Sequence, residues 1–409
     1  MESFYGFLEE FELRDSEEYF IRFDISPSKQ LNVILENQRN LIVENDIEAV
    51  SSFLLELKLN KSKLKEFSTL SERTVREGQW YRIYLEEEGE VSAIQYQSLD
   101  NNEGIQKFIS KIEFIDGRTS LGKKISSVIS LDKIKDSSEK SITEILNNIK
   151  LPSLITVYNV GQGGCNAICD SLGVPLLYFD FGGGIGQNSY TYSNKHKFCF
   201  TESPPIILSH WDKDHWVSAE FDNISLDTNW IVPRQKIGVS HLKLARKLFM
   251  RGNLYIYPSH LTSIPFNAGM LIKNIGKSIN DSGISLISRI KFKNDYFTTL
   301  LPGDCKYKNI PYINKMKFNG LIATHHGGHY TRDVKIPLAR RSNRIVYSYG
   351  LNNTFNHPRN HSIRKHLNAY WNNRLDTTNG NIMLGPKFKT KIPTQPCRNR
   401  SCTLQIKQN

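Results

Sequence analysis

The chain has 409 residues, 39% hydrophobic and 23% charged, the composition of a globular protein with room for two or three domains and a large core. No apolar run approaches the ~20 residues that a bilayer-spanning helix requires, and the acidic stretch Met1 to Glu10 lacks the features of a signal peptide. Six cysteines at irregular spacing do not form a disulfide framework, so a cytoplasmic protein with no membrane partner is expected.

The net charge of +12 is unevenly spread: residues 1–150 carry 20 Lys+Arg against 28 Asp+Glu, and the rest carry 33 against 13. A basic field of that kind attracts polyanions, nucleic acid being the commonest.

Residues 1–125 read as a separate small α+β domain without a single histidine. Glu18 to Ile25 and Leu31 to Leu35 have the apolar content of strands, and Ile47 to Leu59 has a helical pattern. Trp80 to Leu85 and Val91 to Gln97 flank an acidic turn containing Gly89 and predict a hairpin. No catalytic constellation is present there, which leaves a regulatory or partner-binding role. Residues 126–150, rich in Ser and Lys, read as a linker with a helix near Ile142 to Ile149.

A second domain, residues 151–409 with a basic C-terminal extension, opens with the strand Leu154 to Val160 and the glycine-rich turn Gly161-Gln-Gly-Gly164. Without the Lys-Ser/Thr of a P-loop, that turn is weak evidence for phosphate binding. The strand Val174 to Phe179 ends in Asp180, which either caps a turn or orients a ligand from behind.

The densest chemistry is Pro205-Ile-Ile-Leu-Ser-His-Trp-Asp-Lys-Asp-His-Trp216, an apolar strand that stops at His210, Asp212, Asp214 and His215. Extended backbone past Ser209 directs alternate side chains to one side, and a tight turn adds His215. Neutral imidazole and ionised carboxylate suit a divalent cation. Farther on, His241 to Met250 has helical periodicity, and Ile284 to Ile290 and Tyr296 to Leu301 read as strands, the second ending in Asp304. Leu321 to Thr324 stops at His325-His326-Gly-Gly328, and Ile345 to Gly350 leads to Asn356 and His357. Successive strands ending in polar residues are expected where several strand ends supply one site.

Three imidazoles and three carboxylates (His210, Asp212, Asp214, His215, Asp304 and one of His325/His326) suffice for two divalent ions sharing a carboxylate. Asp214, His325, His326 and His357 are the candidates for catalytic contact. His329, Thr331, Arg332 and Asn356 are candidates for holding phosphate oxygens.

The order Asn-Val-Gly-Gln-Gly, Phe-Asp-Phe-Gly-Gly, Ser-His-x-Asp-x-Asp-His, Pro-Gly-Asp, Thr-His-His-Gly-Gly and Asn-His-Pro resembles the metallo-β-lactamase superfamily over roughly residues 154–384. It is most similar to the hydrolase domain of ComEC-type DNA-uptake proteins, and similar also to phosphorylcholine esterases of that superfamily. The resemblance implies a four-layer αβ/βα sandwich with metals at the sheet edges. It implies His210, Asp212 and bridging Asp304 on one ion, and Asp214, His215, Asp304 and His326 or His325 on the other. Asp212 stands where the superfamily more often has a histidine, which favours manganese beside zinc. The first motif has Asn159 and Gly164 where ComEC-type proteins carry aspartates.

The expected function is a metal-dependent phosphodiesterase, a nuclease acting on DNA or RNA. Control by a protein partner through residues 1–125, as in a toxin or antiviral defence effector, is a further expectation. The alternatives are hydrolysis of a small phosphoester, nucleotide or lipid headgroup, and a non-catalytic module that binds nucleic acid or a partner.

Overall fold

The computed structural model describes residues 1–14, 18–37, 42, 45–66, 75–97, 103–192, 196–328 and 335–386. Its contacts divide the chain into two units, residues 1–135 with 235–252, and residues 136–234 with 253–409.

The first unit is built on a closed barrel of β1 (Glu2–Leu13), β2 (Glu18–Pro27), β3 (Phe53–Asn60), β4 (Trp80–Glu86), β5 (Ser92–Gln97) and β6 (Ile105–Ile115). The strand order is β1-β2-β3-β5-β6-β4. Alternate residues such as Ile21, Phe23 and Ile25 of β2, and Leu55 and Leu57 of β3, fill the core. The opposite face of these strands carries buried charge. Arg22 pairs with Glu10 at 2.6 Å and Glu56 at 2.8 Å.

Three sequence expectations fail in this unit. Leu31 to Leu35 lies within a helix, Ser28–Asn37, whose buried Ser28, Leu31, Ile34 and Leu35 follow helical spacing. The segment Ile47 to Leu59 is a short 3-10 turn, Asn45–Ala49, followed by β3, because burial in the barrel outweighs its helical pattern. β4 and β5 do not pair with each other. Each pairs with β6, which lies between them.

The helix Val239–Met250 belongs to this first unit, although it lies in the chain between two strands of the second. Asp24 of β2 accepts hydrogen bonds from the Ser240 N–H at 2.8 Å and the Ser240 hydroxyl at 3.0 Å. A Cβ on Gly238 would stand 2.3 Å from Asp24 Oδ2, so glycine is required at this helix start. Glu9 is the extra residue of a bulge in β1 and is turned toward the helix, 3.1 Å from His241 Nε2. The sequence boundaries (1–125, a linker at 126–150, then 151–409) therefore differ from the contact division. The helix Glu139–Asn147, read as part of the linker, contributes Ile142 and Leu146 to the second unit's core.

The second unit holds two seven-stranded sheets. The first contains β7 (Leu154–Val157), β8 (Cys165–Cys169), β9 (Pro175–Phe181), β10 (Ile206–Ile207), β11 (Trp230–Val232), β12 (Leu254–Ile256) and, antiparallel to β7, a late strand Ile382–Leu384. The second contains β13 (Ser263–Phe266), β14 (Gly269–Lys273), β15 (Ile284–Phe292), β16 (Asp295–Leu301), β17 (Lys317–Ile322), β18 (Leu338–Tyr347) and β19 (Arg374–Asp376), in that spatial order. Each sheet passes from antiparallel to parallel pairing, at β9 in the first and β16 in the second.

Ile155, Leu177, Phe179, Ile207 and Ile231 of the first sheet pack with Leu271, Leu286, Leu301 and Val346 of the second. At about 1.5–3 kcal/mol for each such side chain taken out of water, this shared face dominates the unit's stability. The outer face of the second sheet packs on Tyr307, Ile313 and Trp371, with Ile363 of the helix Asn360–Asn368 against it. This mixed α+β arrangement of two sheets packed face to face is consistent with the sandwich that the resemblance implies. Cys165, Cys169, Cys199 and Cys305 are buried thiols outside any disulfide among the described residues, and Cys397 and Cys402 lie outside those residues. Among the described residues no helix is long and apolar enough to cross a membrane.

Candidate metal centre

Five strand ends meet at one edge of the sandwich: β9 delivers Asp180, β10 leads to Ser209 and His210, β16 to Asp304, β17 to the His325-His326 turn and β18 to Ser348. The backbone after Ser209 does not remain extended as far as expected. Lys213–His215 forms a 3-10 turn with Asp212 at its start, and this turn directs His215 inward.

The glycine-rich turns support that loop. The Gly164 and Gly183 N–H groups donate to the Asp214 carbonyl at 3.1 and 3.0 Å. A Cβ on Gly182 would lie 1.7 Å from the same oxygen. The glycines thus let two turns close on the Asp214 backbone, and no phosphate-binding role is needed to account for them.

His210 Nε2 is 3.1 Å from Asp212 Oδ2, and His215 Nε2 is 3.3 Å from Asp304 Oδ1. His326 Nε2 is 3.5 Å from Asp214 and 3.9 Å from Asp304. Two compact donor sets result, His210–His215–Asp304 and Asp214–His215–His326. The resemblance pairs His210 with Asp212 and Asp304; here His215 stands beside His210, and Asp212 flanks the first set. His325 is partly exposed, its Nδ1 3.8 Å from Asp304, whereas His326 is buried. Both histidines have left-handed backbone, φ 49° and 52°, so consecutive side chains point to different surroundings.

The groups behind the imidazoles fix their orientation. His215 Nδ1–H donates to Asp180 Oδ2 at 2.9 Å, and Asp180 Oδ1 accepts the Ser209 N–H at 2.7 Å. His326 Nδ1–H donates to the Ser348 carbonyl at 2.8 Å. His210 Nδ1 pairs with the Ser209 hydroxyl at 2.9 Å. With Nδ1 engaged, Nε2 of each ring faces the site, and all three Nε2 atoms are buried without a hydrogen-bond partner. Such atoms are costly unless a ligand satisfies them, and second-shell acceptors at Nδ1 are the usual support of a metal-ligating histidine. The donor set therefore fits a divalent cation.

Electrostatics agree. Burial opposes charge on His215, yet Asp304, Asp180 and Asp214 outweigh it and hold the imidazole well above its ordinary pKa. His326 is raised in the same way, burial being overcome by Asp304 and Asp214. Burial also opposes charge on Asp304 and Asp214, but the facing imidazoles keep both below the carboxylate range. His210 is pushed down to about 4 by burial and by His215. The carboxylates thus draw positive charge onto two imidazoles, which is the demand that a cation meets. A small cavity of about 20 Å³ lies among His215, Asp304, His326 and Asp180. The larger cavity, about 690 Å³, lies among Leu154, Lys291, Lys293, Arg344 and Met383 and is lined by none of these ligand residues.

His357 is buried beside the cluster, its ring 5.5 Å from that of His325 and 6.4 Å from that of His326. Asn356 is exposed with φ 56° and serves to turn the chain. The residue that anchors His357 is Asn353, which sequence reasoning missed: its amide donates to the His357 carbonyl at 2.7 Å and its oxygen accepts the His357 N–H at 3.0 Å. His329, Thr331 and Arg332 lie outside the described residues. Ser209 and Ser348 were likewise missed, since a backbone carbonyl or a neighbouring hydroxyl leaves no motif. Lys213 is buried within the motif and pairs with Glu220 at 3.2 Å, a role that its position among candidate ligands conceals.

A third cluster, Glu9, Asp24 and His241, lies in the first unit. His241 Nδ1 accepts the Gly238 N–H at 3.1 Å, so the neutral ring carries its proton on Nε2, toward Glu9. That tautomer leaves no lone pair at Nε2 for a metal.

No protein-family model matches the chain, and no curated protein matches it. Among solved structures it is similar to MEM-A1, a subclass B3 metallo-β-lactamase isolated from a soil metagenome library. That likeness has 12% identity and a TM-score of 0.27, covering 44% of this chain and 83% of that one.

Proposed function

We propose that this protein is a metal-dependent phosphodiesterase, a nuclease cleaving DNA or RNA. The observation that carries the reading is the convergence of three bare, buried Nε2 atoms (His210, His215, His326) on Asp214 and Asp304. Two divalent ions, zinc or manganese, bound in these donor sets supply Lewis acidity and a water of lowered pKa for in-line displacement at phosphorus. His210, His215 and Asp304 hold one ion in this reading, and Asp214 and His326 the other, with Asp212 at the rim. His325 and His357, at the edge of the cluster, contact the phosphate. No serine or cysteine nucleophile is required.

The substrate assignment draws on charge: residues 151–409 carry 33 Lys+Arg against 13 Asp+Glu, a balance that favours a polyanion over a small neutral substrate. Residues 1–125, acidic by composition, are the regulatory or partner-binding module in this reading.

The test is cleavage of labelled single- and double-stranded DNA and RNA by the full chain with manganese or zinc. Metal-dependent cutting that falls steeply with salt and is lost in Asp212→Ala/Asp304→Ala supports the proposal. Undiminished cutting by that variant overturns it. Turnover of small phosphodiesters alone, insensitive to salt, moves the assignment to a small phosphoester.

A further inference from the structure

At the edge of the sandwich away from the metal centre, the two sheets of the second unit leave a cavity of about 690 Å³. β15 shows the separation. It begins at Ile284, whose N–H donates to the Ser209 carbonyl at 2.7 Å beside His210, and runs away from the centre. Its last residue, Phe292, stands about 27 Å farther on, at ~3.4 Å per residue, and lines the cavity. The described residues that line it all belong to the second unit. Its volume falls within the roughly 300–1,000 Å³ of small-molecule sites.

The interior is aliphatic. Leu154 and Leu384 line it from the first sheet, and Ile290 and Leu375 from the second. Three of these four also pack in or against the core shared by the sheets, so the cavity is an open end of that core. Charge interrupts the core at one strand. In β18, Ile345 packs on the outer face of its sheet and Val346 on the shared face. Arg344 therefore lies on the same inward side as Val346, a guanidinium at a core position. Its Nη1 donates to the Met383 carbonyl on the other sheet at 3.4 Å. Burial lowers its pKa from the ordinary guanidinium value, yet arginine stays ionised. Lys291 and Lys293, both exposed, border the same cavity, and Lys293 Nζ lies 5.7 Å from the Phe292 ring. None of the described lining residues is acidic.

A site of this kind recognises two features together. Its apolar walls take up a hydrocarbon chain, and its positive field favours an acidic head over a neutral or cationic one. Carboxylate and phosphate both meet that condition. We infer that the cavity binds an amphipathic anion, an aliphatic chain ended by a carboxylate or a phosphate, at a site separate from the metal centre. This assignment goes beyond the phosphodiesterase reading and stands without it.

The experiment is isothermal titration calorimetry of the full chain, below the critical micelle concentrations, with octanoate, nonanoate, decanoate, decyl phosphate, decanol and decyltrimethylammonium. The expected result is one anion per chain, bound about 3–4-fold more tightly for each added methylene. Decanol and decyltrimethylammonium should bind at least about 10-fold more weakly than decanoate. Comparison of decanoate with decyl phosphate names the preferred head. Lys291→Glu/Lys293→Glu changes only exposed side chains, so it should keep the circular dichroism and metal content of wild type while weakening decanoate about 10-fold or more. Equal binding of the alcohol or the ammonium overturns the inference, as does an affinity for decanoate unchanged by the charge reversal. Absence of binding by every compound also overturns it and leaves the cavity to water.

Discussion

Asp180 supports the candidate centre through His215: its Oδ2 accepts the imidazole Nδ1–H at 2.9 Å, while its Oδ1 takes the Ser209 N–H at 2.7 Å. One carboxylate thus ties β9 to the strand end that carries the densest ligand motif. Asp180→Asn can direct an NH2 at the ring and force the wrong tautomer on His215. Metal affinity should fall about 10–100-fold with the fold intact, read by competition with a chelator and by circular dichroism. Unchanged affinity would show that His215 needs no support from behind.

The two adjacent histidines should separate cleanly. His326 is buried with its Nε2 turned to Asp214, whereas His325 is partly exposed at the rim. Elemental analysis of His326→Ala should show at least one ion lost per chain, and His325→Ala should keep the wild-type content with reduced turnover. The opposite pattern would exchange their roles.

Asp24 gives a pH-dependent contribution in the first unit. Burial, opposed by His241, raises its pKa from 3.8 to about 6. A raised folded-state pKa means that the folded chain binds the proton more tightly than the unfolded one. The associated stability is fully present below 3.8 and is lost as pH rises through about 6. Asp24→Asn keeps an acceptor for Ser240 and removes the titration. The stability difference between wild type and variant, from urea unfolding, should turn against wild type across that window; a constant difference would contradict it.

The buried Arg22 holds two buried carboxylates, Glu10 and Glu56. Arg22→Met removes this guanidinium from both carboxylates and should destabilise the protein by about 3–5 kcal/mol, measured by chemical denaturation. A loss under about 1 kcal/mol would mean that water or relaxation satisfies the carboxylates.

How the chain divides bears on any truncation. The helix Val239–Met250 belongs to the first unit, with Leu242 and Leu248 fully buried. Removing residues 1–135 alone should yield an aggregating protein, while removing 235–252 as well, with a short bridge, should restore solubility on size-exclusion chromatography. Equal behaviour of the two would argue against this assignment.

The ligand set was legible because its signals are local or sit at strand ends. His210 to His215 is one short run, and Asp304 and His326 each follow an apolar strand. The barrel was not, because strand pairing is non-local: β4 and β5 look like a hairpin, yet β6, later in the chain, lies between them. Leu31 to Leu35 misled because five largely apolar residues suit a strand as well as the buried stripe of a helix. Gln162 and His357 stand 195 positions apart, and nothing in either segment announces their contact. Helical periodicity marks His241 to Met250, but nothing in that segment signals the neighbours of His241, Glu9 and Asp24, which lie more than 200 positions earlier.

The measurement that bears most directly on the whole account is the divalent metal content of the purified full chain, beside that of Asp304→Ala. Asp304 faces both His215 and His326, at 3.3 and 3.9 Å. The account predicts close to two ions per wild-type chain and a loss of one or both in the variant. A wild-type protein that binds no zinc or manganese even after addition would contradict it, and the three bare imidazole nitrogens would need another ligand.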